Sequence, residues 1–160
     1  QVNKSDKELL IYISMAFGNP YGESWNADVV IGWIHELQKL GISKIALADT
    51  VGLANEKDVA YLTRSVISEF TNIEVGVHLH CRPGSWKNKV EAAFNAGCRH
   101  FDAAIKGYGG CPMAEDDLVG NLATENLVQY LAAKNVETLT RPNELNHAIA
   151  ISTLVFLPSA

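Results

Sequence analysis

Four short apolar segments recur along this chain roughly 30 residues apart, each pair separated by a helical pattern, as in βαβ units. They run from Leu10 to Phe17, Lys44 to Thr50, Glu74 to His80 and His100 to Ile105. Each is close to continuously apolar rather than strictly alternating, which is what a parallel strand covered on both faces requires. Between them, Ala27 to Leu40 carries Val30, Ile34 and Leu37 in a stripe of helical period, with Asn26 as N-cap and Gly41 as stop. Glu56 to Phe70 repeats the form with Val59, Leu62 and Val66, and Trp86 to Ala96 ends at Gly97. Further helices are expected over Thr124 to Lys134 and, after Pro142, over Asn143 to Leu157. Parallel strands joined this way need right-handed crossovers. Two architectures satisfy the order: a small open α/β sheet, or half of an eight-fold β/α barrel. No G-x-G-x-x-G follows a strand, which weakens the nucleotide-binding form of the open sheet.

Composition narrows the function classes. Of 160 residues, 48% are hydrophobic and 19% charged, an ordinary globular balance. The net charge is −5, and Lys and Arg are scattered, so no nucleic-acid partner is expected. No apolar run approaches the ~18 residues of a membrane span, and no signal-peptide pattern opens the chain. No membrane partner is expected either. Three cysteines cannot pair completely, and a chain of this length can bury a core without them. A reducing, cytoplasmic compartment follows as the expectation. The first residue is Gln1 rather than methionine, so the chain is expected to lie within a longer product.

In both architectures ligands gather at the carboxyl ends of the strands. The second strand ends in Asp49-Thr50-Val51-Gly52. Asp49 is either a turn or capping residue, or a carboxylate facing a cleft. The third ends in His78-Leu79-His80. Residues two apart on a strand share a face, so both imidazoles can converge on one metal ion, although core or hydrogen-bonded histidines read the same way. Cys81 is a weaker third ligand candidate, and Cys98 reads as a small core residue. After the fourth strand, Gly107-Tyr108-Gly109-Gly110-Cys111-Pro112 presents a thiol on a glycine-rich stretch, suited to proton donation or to nothing beyond a turn. Gly120-Asn121-Leu122-Ala123-Thr124-Glu125 offers an amide oxygen at Asn121, a capping hydroxyl at Thr124 and an acidic first helical turn at Glu125.

These pieces resemble the 3-hydroxy-3-methylglutaryl-CoA lyase family, within the superfamily of metal-dependent barrel lyases and synthases. The resemblance rests on Ser14 to Gly22 (SMAFGNPYG), Ala48 to Gly52 (ADTVG), Val77 to His80 (VHLH), Gly109 to Pro112 (GGCP) and Gly120 to Glu125 (GNLATE). The strand-end H-x-H is shared across the superfamily; G-G-C-P followed by G-N-L-A-T-E is more specific to the lyase. The family implies a (β/α)8 barrel, with residues 1–160 as its second half, strands five to eight plus C-terminal helices, and the N-terminal half absent from this chain. It implies that His78, His80 and Asn121 ligate a divalent cation, Mg²⁺ or Mn²⁺, and that Cys111 is the catalytic thiol. Asp49 then lines the site and Glu125 supports it. The implied substrate is an acyl-CoA, cleaved to acetyl-CoA and acetoacetate, and a homo-oligomer is expected. Relatives that condense rather than cleave, of the isopropylmalate- or homocitrate-synthase kind, hydroxy-oxo-acid aldolases, and a non-catalytic self-associating half-barrel are the competing readings. The loop cysteine favours the lyase.

Three departures stand out. The family's first strand supplies an Arg-Asp pair, and no counterpart exists here. After His80 the family has Asp-Thr-Tyr-Gly where this chain has Cys81-Arg82-Pro83-Gly84. The stretch from Cys111 to Asn121 is one residue longer than in common members.

Overall fold

The computed structural model describes residues 7–82, 84–110 and 119–156. Four parallel strands, β1 (Ile11–Ile13), β2 (Lys44–Asp49), β3 (Glu74–Cys81) and β4 (His100–Asp102), lie side by side in chain order. The helices α1 (Ala27–Lys39), α2 (Glu56–Glu69) and α3 (Trp86–Asn95) make the crossovers. A 3₁₀ turn over Ile105–Gly107 leads toward β5 (Gly120–Asn121), which pairs antiparallel with the end of β3; α4 (Thr124–Ala133) and α5 (Pro142–Val155) follow. The sheet is mixed and does not close into a barrel among the described residues, and no helix there is long and apolar enough to cross a membrane.

The register divides the sheet into two unlike faces. Ile45 pairs with Val75, Leu47 with Val77 and Asp49 with Leu79, so these side chains share one face. That face packs against Val30 and Ile34 of α1, Val59, Leu62 and Val66 of α2, and Val90 and Ala93 of α3 to form the core. Each fully buried Leu, Ile or Val contributes about 1.5–3 kcal/mol, so this layer holds the fold. Opposite lie Tyr12, Ala46, Ala48, Gly76, His78, His80 and Asp102, a face of small and polar side chains. Half the expected two-sided covering is therefore present: helices bury one side, and chemistry occupies the other.

Several expected boundaries shift. The first strand stops at Ile13, because Met15 takes a left-handed turn (φ 55°) with its N–H bonded to Thr50 Oγ1 at 2.8 Å. The fourth strand stops at Asp102, and Lys106, also left-handed, starts the turn that follows. Asn26 caps α1 as expected, its side chain accepting from the Val29 N–H at 3.0 Å. Thr124 does not cap α4. Ala123 holds that place without a side-chain bond, and Thr124 is already the first helical residue, its N–H donating to the Ala104 carbonyl.

Candidate functional site

The carboxyl end of β3 puts His78 and His80 on one face, ring centroids 5.1 Å apart. Both rings are braced through Nδ1. His80 Nδ1 donates to the Thr50 carbonyl at 2.6 Å, and His78 Nδ1 lies 3.2 Å from Asp102 Oδ2. A ring N–H spent on a carbonyl or carboxylate fixes the tautomer and leaves Nε2 as the lone-pair nitrogen, the arrangement that ligating histidines use. Asn121 arrives from β5, directly opposite His80 in the antiparallel ladder. Its Nδ2 donates to the Tyr108 carbonyl at 2.8 Å, which orients the amide and leaves Oδ1 without a hydrogen bond among the described residues. His78, His80 and Asn121 line one cleft of about 390 Å³ together with Tyr12, Ser14, Thr50 and Gly110.

Two imidazole nitrogens and an amide oxygen fit part of a divalent cation's shell, with room for further oxygen donors. Among the described residues, no three His, Cys, Asp or Glu side chains cluster as a metal site. Cys81 does not join the histidines. It points to the opposite side of β3, and burial pushes its thiol up to about 11, away from the thiolate a soft ligand needs.

Asp49 stands elsewhere than sequence suggested. It is paired in register with Leu79, so its carboxylate enters the helix-covered layer, only 2% exposed, and does not line the cleft. There it accepts from Lys89 Nζ at 2.7 Å and from the Ala54 N–H at 3.1 Å. Glu125 reaches back from the first turn of α4 to accept the Lys106 N–H at 3.0 Å, which holds the turn before Tyr108. It supports Asn121 through that turn. Cys111 lies outside the described residues.

Sequence reasoning missed Asp102 and Tyr12. The Tyr12 hydroxyl donates to Asp102 Oδ2 at 2.7 Å, and its ring meets His78 edge-on. The hydrogen bond to Asp102 raises the Tyr12 phenol to about 12, so it stays protonated and donates. The Asp102 carboxyl is held below its usual range by the His78 and Tyr12 hydrogen bonds, burial opposing them. A signal existed: an aspartate inside an otherwise apolar fourth strand poses the same solvation problem as Asp49.

The parallel β/α layer that carries this cleft defines a fold that solved structures share. The crystal structure of the Bacillus subtilis HMG-CoA lyase superposes with a TM-score of 0.87 at 28% identity, covering 96% of this chain and 51% of that one. Among curated proteins, the (R)-citramalyl-CoA lyase of Chloroflexus aurantiacus is 35% identical over 128 residues, 80% of this chain and 40% of that protein. The hydroxymethylglutaryl-CoA lyase YngG of Bacillus subtilis is 31% identical over 134 residues, 84% of this chain and 44% of that protein. The HMGL-like family model matches residues 4–155, and the chain belongs to the HMGL-like family, whose named relatives here are lyases. It spans about two fifths of the length of these curated relatives.

Proposed function

We propose that residues 1–160 supply the second half of a (β/α)8-barrel active site that cleaves a 3-hydroxyacyl-CoA, 3-hydroxy-3-methylglutaryl-CoA foremost, to acetyl-CoA and acetoacetate. The observation that carries this reading is the bracing of both imidazoles through Nδ1, which turns two Nε2 atoms and the Asn121 amide into a single cleft. His78, His80 and Asn121 would hold Mg²⁺ or Mn²⁺. When bound, such an ion supplies Lewis acidity that makes the substrate hydroxyl easier to deprotonate and the carbonyl easier to polarise.

The chain's own groups perform the proton transfers. Asp49 is sealed beneath the sheet, so it does not serve as base. His78 cannot both ligate and accept a proton through one Nε2 lone pair. Asp102 lines an adjoining hollow with Tyr12, His78 and Asn121; its two hydrogen bonds both land on Oδ2, and its Oδ1 takes the hydroxyl proton. The oxygen's electrons then form the new ketone, and the C2–C3 pair passes to the thioester as an enolate. The Cys111 thiol gives its proton to that carbon and leaves as thiolate, regenerated by solvent. Tyr12 keeps Asp102 in place through its hydroxyl.

The test is release of acetyl-CoA by the intact barrel, offered 3-hydroxy-3-methylglutaryl-CoA and citramalyl-CoA in parallel. Cys111→Ala is expected to lower turnover by ~10²-fold or more without changing metal content, as loss of a general acid does. Turnover close to the parent's would remove Cys111 from the reaction. The citramalyl-CoA arm matters because the Chloroflexus relative bears that name.

A further inference from the structure

Lys89, on the sheet-facing side of α3, is buried, with only 4% of its surface exposed. Its ammonium spends three contacts at the mouths of two strands: Asp49 Oδ2 at 2.7 Å, the His80 carbonyl at 2.9 Å and the Gly52 carbonyl at 3.4 Å. These acceptors are not a random set. Thr50, whose carbonyl receives the His80 ring, sits between Asp49 and Gly52, and the turn is closed by Gly52 N–H to the Asp49 carbonyl and Ala54 N–H to Asp49 Oδ1. Lys89 therefore grips both ends of the Thr50–His80 hydrogen bond: the turn that carries the acceptor, and the backbone of the residue that carries the donor.

We propose that Lys89 is a positioning residue for His80, fixing the end of β3 against the 49–54 turn so that the imidazole keeps its proton on Nδ1 and offers Nε2 to the cleft. Asp49 serves the same device by neutralising and aiming the ammonium. A buried charge pair of this kind is weak evidence for stability, since apolar replacement of both members is often tolerated. Its contacts to both ends of the Thr50–His80 hydrogen bond are better accounted for by orientation. The inference rests on the metal-centred reading above for its functional meaning, while the orientation of the ring stands on geometry alone.

The test replaces both charges at once, Asp49→Asn with Lys89→Met, so that neither is left buried alone. Nitrogen NMR of the His80 ring in the 160-residue chain reports which nitrogen carries the proton, and Mn²⁺ titration reports affinity. The parent is expected to show the Nδ1–H form alone. The double variant is expected to show a mixture of tautomers and Mn²⁺ binding weaker by about ten- to a hundredfold, the usual effect of losing support behind a ligand. A folded double variant with the parent's tautomer and Mn²⁺ affinity would overturn the proposal, because a merely structural pair moves the melting temperature and neither readout. If that variant does not fold, Lys89→Gln, which keeps two N–H donors but not three and carries no charge, is read against the same two outcomes. His80→Ala separates the two claims: Mn²⁺ affinity unchanged there sinks the metal reading, whereas the Lys89 claim is then decided by the tautomer.

Discussion

At the scale of single residues, the two histidines were legible because a strand alternates: any H-x-H in an extended segment shares a face, whatever the surrounding fold. Which face was not legible for Asp49. It stands directly between the cleft-lining Ala48 and Thr50, and a period of two sends it into the helical layer. Only the register could reveal that, along with its partner Lys89, 40 positions later in sequence. Removing that partner alone, as Lys89→Met, leaves an uncompensated buried carboxylate and is expected to cost about 3–5 kcal/mol in urea unfolding. Cys98 gives a pH test. Burial pushes its thiol up to about 11 from an ordinary 9.0, so the unfolded chain ionises first as pH rises. Between those values the native state holds the extra proton, and stability falls with rising pH; below about 8 the contribution is fully present. The loss from this thiol by pH 11 is on the order of 2 kcal/mol, and Cys98→Ala is expected to flatten that part of the curve. A denaturation midpoint equally steep in the variant would assign the alkaline loss to other groups.

At the scale of elements, the helix and strand order follows from patterning, and N-cap and stop signals at Asn26, Gly41 and Gly97 agree with the caps found. The two short turns at the strand ends did not follow, because their cause is tertiary. Met15 and Lys106 adopt left-handed backbone only where Thr50 Oγ1 and Glu125 Oε2, both distant in sequence, accept their N–H groups. β5 was invisible for the same reason: two residues have no pattern of their own, and Gly120–Asn121 is a strand because β3 offers it an edge. Gly107 ties these turns to the site. It is left-handed at φ 66°, and a Cβ there would stand 2.6 Å from the Asn121 carbonyl oxygen. Gly107→Ala is thus expected to lower the melting temperature and, by displacing Asn121, to weaken Mn²⁺ binding by roughly tenfold or more, the scale of damage to a ligand's support. Unchanged Mn²⁺ affinity in the folded variant would detach Asn121 from the ion.

At the scale of the whole molecule, the sheet has helices on one side, β1 and β4 as its outer strands among the described residues, and a second face that carries Tyr12 and Leu10 at 46% and 41% exposure. Open edges of this kind invite pairing with another chain. Sedimentation velocity across a concentration series is expected to show the 160-residue chain associating above its 17.4 kDa mass, and a single species of that mass throughout would contradict it. The β/α repetition was legible, while the open face was not, since the pattern of a buried strand says nothing about which neighbour buries it. One small contact also governs how this architecture can vary. Gly110 bridges Gly120 in antiparallel fashion, so the backbone departs from the cleft and re-enters it at a common rung. Whatever is spliced in or trimmed between those two glycines is pinched off at its base, at an entropic penalty that grows only logarithmically with length. The tether to His80 keeps its register throughout. The pairing of Asn121 with His80 is thereby insulated from the number of residues carried between the two glycines.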